Sequence, residues 1–387
     1  MQPFRIEVQQ ADLDDLNRRL EHTRWPDEIP GVGWERGVPL DYLKELAQYW
    51  RTEFDWRVME ARLNELPQFT TEIDGANIHF VHVRSPEPDA TPLLITFGWP
   101  SSPVEFLNVV GPLTDPGAHG GDPADAFHVV LPTLPGYGFS GPTRTAGWDH
   151  CRVALAWKEL MTRLGYERYV AQGGDWGMLV SAELGLADPR RVVGVHINTL
   201  VTMPSRPAEL ADLSESDTER LARLATFDQE RSAYLKLQLT RPQTVAYGLT
   251  DSPVGQLAWI MEKYKEWTGS RVVPEDVIDR DLMLANVAIY WLTATAGSSA
   301  QFYYESLGGG GQSFAARVGG PWELTMPAGV AVFAHDVVLP LRRLADQILP
   351  TITHWSEFDR GGHFPALEVP DLYVDDVRAF ARSLKDD

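Results

Sequence analysis

The chain has 387 residues, 44% of them hydrophobic and 23% charged, enough apolar material for one large domain or two linked ones. A formal net charge of −20 argues against nucleic acid and anionic membrane surfaces as partners. Cys151 is the single cysteine, which excludes an intrachain disulfide and a cysteine-rich metal site, and the start Met1-Gln2-Pro3-Phe4 has no basic-then-apolar leader, so a cytoplasmic chain without a membrane span is expected.

Residues 1–75 read as a helical leader. Leu13, Leu16 and Leu20 line one face of a helix over 11–20, and Leu40, Leu43, Leu46, Ala47 and Trp50 line another over 39–56. Trp25-Pro26 and the run from Pro30 to Trp34 break them. Such a leader is most simply a packing arm around a catalytic core. It is also a candidate surface for a homodimer. Strand material follows. Phe69–Ile73 and Ile78–Val83 flank Asp74-Gly75, a hairpin signal. Leu93–Phe97 ends at Gly98-Trp99-Pro100, and Phe127–Leu131 leads into Pro135-Gly136-Tyr137-Gly138-Phe139-Ser140. A helix over 151–164, a short strand at Tyr169-Val170-Ala171, a helix over 178–186 and a strand over 192–197 complete a first half, residues 76–202.

Short strands alternating with helices predict an α/β fold with a mostly parallel central sheet, whose ligand sits beyond the carboxyl ends of the strands. Trp99, Tyr137 and Asp175 all follow strands. Over 203–315 the strand pattern lapses, and helices are predicted at 210–224, 230–239, 254–267 and 280–296. This insertion reads as a cap over the site. Gly308–Gly311 reads as a flexible loop. The second half of the core, 316–387, carries strands at 329–334 and 352–358 and a last helix at 370–384.

The stretch Gly173-Gly174-Asp175-Trp176-Gly177 has the form of a nucleophile elbow, a reactive side chain between small residues on a strand-to-helix turn. Here the reactive residue is a carboxylate. A carboxylate attacks a saturated electrophilic carbon and leaves an alkyl ester on the protein, which points to epoxide or haloalkane chemistry and away from ester hydrolysis. The plain alternative is a Gly-rich turn with an N-capping Asp. In elbow folds the order is nucleophile, acid, histidine. Of the ten histidines, His363 stands in a Gly-Gly-His loop after the last strand. Asp336 follows the preceding strand, with Asp359 as a competitor and Glu357 inside the histidine's own strand. Each of these alone is an ordinary cap or surface group; the ordered set at strand ends is what carries weight.

These motifs resemble the α/β-hydrolase-fold epoxide hydrolases of the microsomal type. The resemblance rests on Pro67-Gln68-Phe69, Gly98-Trp99-Pro100, Leu134 to Ser140, Gly174-Asp175-Trp176-Gly177, Asp251-Ser252-Pro253-Val254-Gly255, Phe302-Tyr303 and Gly361-Gly362-His363-Phe364. It implies a member of bacterial, actinobacterial-like type without the family's membrane anchor. It implies Asp175 as nucleophile, His363 oriented by Asp336 as base, and Tyr303 and Tyr234 as donors to the ring oxygen. The backbone N–H groups of Trp99 and Trp176 form the implied oxyanion hole. Trp99, Pro100, Tyr137, Trp176 and Phe364 form the implied pocket wall. The implied partner is a small apolar, aryl-bearing epoxide, the product a vicinal diol, with no cofactor and no metal. Relatives of this length in natural-product pathways, the enediyne antibiotics among them, imply a biosynthetic role.

One departure is plain. Phe97 stands where the family usually has His, so the hydrogen bond that histidine makes to the oxyanion loop is lost. Two other readings stay open: a haloalkane dehalogenase, with Trp176 binding halide, and a catalytically silent paralogue that binds a small molecule.

Overall fold

The computed structural model describes residues 1–204, 206–308, 318 and 320–385. Its nine strands form one sheet. They are β1 (Gln2–Phe4), β2 (Gln68–Ile73), β3 (Ala76–Val83), β4 (Thr91–Thr96), β5 (Phe127–Pro132), β6 (Tyr169–Gly173), β7 (Val192–Asn198), β8 (Ala328–Phe333) and β9 (Ile352–Phe358). The spatial order is β1-β2-β3-β5-β4-β6-β7-β8-β9. The six strands from β5 to β9 in that order run parallel, and β1 to β3 add an antiparallel edge. The parallel strands β5, β6 and β8 are buried along their whole length, which is why they read as mainly apolar runs, with His128 and Gln172 as the polar exceptions. Asp74 and Gly75 take φ of 50° and 76° and turn β2 into β3, as a two-residue hairpin requires.

The leader is helical, but it also supplies sheet. β1 pairs with β2, so the chain begins inside the sheet and then leaves it. Helix α1 spans Gln10–Glu21 and α2 spans Leu40–Thr52. The helix expected to run on to Trp56 stops at Thr52. A third, α3 (Trp56–Leu63), starts afresh behind Asp55, whose carboxylate accepts from Arg57 N.

Helices α4 (Val110–Thr114), α5 (His150–Arg163) and α6 (Trp176–Ala187) lie within the first half of the core. Between β7 and β8 come α7 (Glu215–Thr226), α8 (Ala233–Thr240), α9 (Pro242–Asp251), α10 (Pro253–Glu266), α11 (Arg280–Leu292) and α12 (Ala296–Leu307). The single helix expected over 280–296 is therefore shorter, and α12 follows it. Ala294, at φ 53°, breaks the two apart. The proline-led α9 was not apparent in the apolar pattern. Beyond Gly308, the Gly308–Gly311 run lies outside the described residues.

The leader grips the cap as well as the core. Tyr42 Oη donates to Glu275 Oε2 at 3.0 Å, Tyr49 Oη to Asp281 Oδ1 at 3.0 Å, and Arg19 Nη1 to Asp251 O at 2.8 Å. Among the described residues no helix is long and apolar enough to cross a membrane.

Candidate active site

The strand order reverses at β4, with β5 on one side and β6 on the other. At such a switch point the carboxyl ends of adjacent strands leave a crevice. Trp99 follows β4 into it and Asp175 follows β6. Asp175 takes φ 53° and ψ −122°, a conformation side chains rarely adopt, which lifts its carboxylate out of the turn. The close quarters explain two glycines. A Cβ at Gly98 would overlap the Asp175 carboxylate, and one at Gly177 would overlap the Thr96 carbonyl.

The Asp175 side chain makes no capping bond to α6, so the N-cap reading of this residue does not hold. Instead Oδ1 accepts from Trp99 N at 2.9 Å, and Oδ2 faces His363 Nε2 at 3.5 Å. The Trp176 N–H heads α6, one of the first four of the helix that have no intrahelical acceptor. His363 Nδ1 lies 2.8 Å from Asp336 Oδ1. Asp336 is itself fixed by Thr199 Oγ1 and Val337 N, both donating at 2.7 Å. The competing acids lie elsewhere: Asp359 is exposed, and Glu357 takes hydrogen bonds from Arg220 and Trp355. Burial pulls the His363 pKa down, but the Asp336 and Asp175 carboxylates outweigh it and hold it at about 10.

The cap brings both tyrosines over the elbow. The Tyr234 ring stacks on Trp99, with centroids 5.2 Å apart and planes 10° from parallel. Tyr303 meets Trp176 edge to face at 4.7 Å. Burial, and then nearby groups including the Asp175 charge, push both phenols well above their usual pKa. Both are therefore neutral O–H donors at ordinary pH.

Two cavities meet Asp175. One, of about 180 Å³, is lined by Asp175, Trp176, Tyr234 and Tyr303 together with apolar side chains such as Met178, Val201, Phe227 and Val338. The other, of about 20 Å³, lies among Ser101, Glu105, Gln172, Asn198, Asp175 and His363. A larger groove of about 820 Å³ runs between leader and cap but touches none of these groups, so size alone does not mark the site.

The family described as "Epoxide hydrolase N terminus" matches residues 1–106. A Stigmatella aurantiaca protein of the same kind is 46% identical over 99% of this chain and 85% of its own length. Epoxide hydrolase 1 of Sus scrofa is 34% identical over 98% of this chain and 88% of its own. The chain belongs to the epoxide hydrolase family. Two solved epoxide hydrolases share its whole architecture. The juvenile hormone enzyme of Bombyx mori has a TM-score of 0.90 at 28% identity, covering 100% of this chain and 95% of that one. The Aspergillus niger enzyme has a TM-score of 0.86 at 31% identity, covering 99% and 96%. The fold of this epoxide hydrolase is the α/β-hydrolase fold.

Within it, the expected pocket residues divide. Trp176 lines the apolar cavity, and Trp99 and Phe364 line the small one. Pro100 and Tyr137 line neither. The Pro100 carbonyl accepts from Asn286 Nδ2, and the Tyr137 ring packs between Tyr290 and Phe302 as part of the contact between core and cap. Phe97 is buried against Phe106, with centroids 6.5 Å apart. The loop after β4 is thus packed without a histidine at this position.

Sequence reasoning missed several residues of the epoxide hydrolase site. Thr199 follows β7 at φ 62°, and that strand-end position was its only signal. Trp267 accepts from His363 N at 2.8 Å and sets its ring 4.8 Å from the imidazole. Glu105 and Lys263 are buried ionisable residues that no motif marked. Among the described residues one group, His150, Cys151 and Glu183, brings metal-ligand atoms within 4.8 Å of one another, and it contains no residue of this site.

Proposed function

We propose that this epoxide hydrolase opens an apolar epoxide through a covalent ester on Asp175. The observation that carries the reading is the Asp175 carboxylate itself. One oxygen rests on the Trp99 N–H, the other faces His363, and the apolar cavity with two phenols stands above it.

In the first step Asp175 Oδ2 attacks a ring carbon and the carbon–oxygen bond of the ring breaks. The developing alkoxide takes a proton from Tyr303 or Tyr234, since an unassisted alkoxide is a poor leaving group. Esterification removes the Asp175 charge. The His363 pKa then falls, because one of the two carboxylates that raised it is gone. The imidazolium proton restores the phenol, and His363 becomes a neutral base. In the second step His363 takes a proton from water, the hydroxide attacks the Asp175 carbonyl carbon, and Oδ1 carries the negative charge. The N–H groups of Trp99 and Trp176 stabilise that oxyanion. Collapse breaks the bond between the carbonyl carbon and Oδ2, and the leaving alkoxide takes the remaining proton of the added water, which frees the vicinal diol and restores the Asp175 carboxylate beside the imidazolium. The small cavity between Asp175 and His363 supports this step, since its 20 Å³ is room for about one water and Ser101, Gln172 and Asn198 stand in its otherwise largely apolar wall.

The substrate is apolar, and aromatic walls from Trp176, Tyr234 and Tyr303 favour an aryl group. Work on natural-product epoxides belongs to the same proposal; its support is the sequence resemblance.

A single turnover of styrene oxide in oxygen-18 water tests the mechanism. The first diol carries unlabelled oxygen from the protein, and label appears in the Asp175 peptide. Solvent label in the diol with none in Asp175 means that water attacks directly and sinks the reading. Among the described residues the buried indole N–H of Trp176 makes no well-formed hydrogen bond and lies close to the Tyr303 phenol, whose ionised form it favours; a donor aimed into the cavity in this way supports halide binding as a second reading. Chloride release from a chloroalkane would establish it.

A further inference from the structure

Lys263 sits on α10 with its side chain 1% exposed. Its ammonium is paired with Glu262 and lies 3.6 Å from Glu266 Oε2. Burying an ammonium is costly unless it is paired, and these carboxylates offset that cost. They do not account for where the charge points. Nζ stands 4.6 Å from the centroid of the Tyr234 ring and 5.7 Å from that of Trp267. Tyr234 is in turn stacked on Trp99 above the nucleophile, and Trp267 abuts His363. The lysine thus touches a ring that is itself stacked beside the nucleophile.

We propose that Lys263 is a positioning residue for ring opening: its ammonium holds the Tyr234 ring against the site and stabilises the negative charge that grows on that ring as the phenol gives up its proton. This rests on the proposed role of Tyr234 as a proton donor.

The physical argument is differential. Against the neutral phenol, the ammonium meets only the ring quadrupole. As the Tyr234 O–H bond breaks and the proton moves to the epoxide oxygen, the ring takes on charge. The contact becomes a charge–charge attraction in a site with little water, so it strengthens toward the transition state and accelerates the step. The other groups around Tyr234 mostly oppose this. Burial, Asp175 and Glu266 all hold its proton more tightly, while Tyr303 eases it. Arg231 also faces Glu266 and dilutes its charge. Among the described residues Lys263 is the cation over the ring face. When the imidazolium proton of His363 restores the phenol, the contact returns to its resting strength and the cycle closes.

A double-mutant cycle tests this, read as the single-turnover rate of Asp175 esterification by styrene oxide, with rapid quench and mass analysis of the Asp175 peptide. Lys263→Met slows esterification by about 10-fold, and Lys263→Arg, which keeps the charge, retains most of the rate. In the Tyr234→Phe background, Lys263→Met changes the rate little, because no ring charge develops there. An equal loss in both backgrounds, or a loss confined to ester hydrolysis, means that Lys263 only braces α10 and overturns the inference. If Lys263→Met does not fold by circular dichroism, Lys263→Gln takes its place in the same cycle. Tyr234→Phe alone separates the two levels. If it leaves esterification unchanged, Tyr234 is no donor and both fall; if it slows esterification without coupling to Lys263, only the lysine's role falls. Absence of any Asp175 ester in the wild type would instead remove the mechanism beneath both.

Discussion

His363 faces the carboxylate it is proposed to liberate: its Nε2 lies 3.5 Å from Asp175 Oδ2, and its other ring nitrogen is held by Asp336. Before substrate reacts, the pair is an imidazolium beside a carboxylate. In the proposed mechanism the base is therefore silent while the nucleophile is free, and it becomes available once esterification cancels the Asp175 charge. On that proposal one contact sets the order of the two steps.

Removing the base while leaving the nucleophile should trap the ester. In His363→Gln, turnover is expected to fall by on the order of 1,000-fold or more, while Asp175 still attacks. The adduct accumulates and is read as added mass on the Asp175 peptide. Lost turnover with no adduct would show that His363 is needed before the ester forms.

In the proposed mechanism the phenols act in the other half. Tyr303→Phe is expected to slow esterification by about 100-fold, the lower end of general-acid contributions. Hydrolysis of an ester already formed should change far less. Rapid-quench measurement of both rates decides it, and equal losses in the two steps would count against a donor role.

Glu105 gives a pH signature near the site. Burial raises its pKa to about 7, although the Ser101 hydroxyl partly opposes this. A carboxyl whose pKa is higher folded than unfolded binds protons more tightly in the native state. Its favourable contribution is complete below the unfolded value of 4.5 and is lost as pH rises through about 7. Glu105→Gln should remove that loss, so the melting temperature of the variant gains on the wild type across this window. Parallel curves for the two proteins would refute the assignment.

Asp376 gives the opposite sign, away from the site. Burial would raise its pKa, but hydrogen bonds with His196 and His354, each 2.8 Å, outweigh it and hold it below 3.8. These contacts tie the C-terminal helix Pro370–Ser383 to β7 and β9. The stabilisation is present above the unfolded value of 3.8 and is lost as pH falls below it. Asp376→Asn should cost on the order of 3 kcal/mol near neutral pH, and the difference should shrink on acidification. Urea melts at a series of pH values measure it.

Local chemistry was legible in the chain. Asp74-Gly75 announces its hairpin because two adjacent positive φ angles suit few other pairs. The parallel strands announce themselves because burial on both faces demands apolar runs. Gly98 and Gly177 mark the elbow because the backbone around Asp175 leaves no room for a Cβ. The family follows from these motifs, and so does the candidacy of Asp175, Asp336 and His363.

The helix pattern was less complete. Residues 280–296 read as one helix, but α11 ends at Leu292 and Ala294 separates it from α12. No periodicity reports a single residue in the left-handed region.

Only the tertiary structure decided which carboxylate holds His363. Asp336 and Asp359 both follow strands in the sequence, and the difference is that Thr199 and Val337 turn one inward while the other stays at the surface. It also separated Tyr234 and Tyr303, in the cavity wall, from Tyr247 and Tyr304, which are exposed. A tyrosine's own residue type carries no record of which face of its helix meets the core. Lys263 is the clearest case. In sequence it is a lysine between two glutamates on an amphipathic helix, a pattern that usually means a solvated face, and it is buried because that face of α10 packs behind Tyr234 and Trp267. Spacing along a chain records periodicity; which charges end up without water depends on what the neighbouring elements cover.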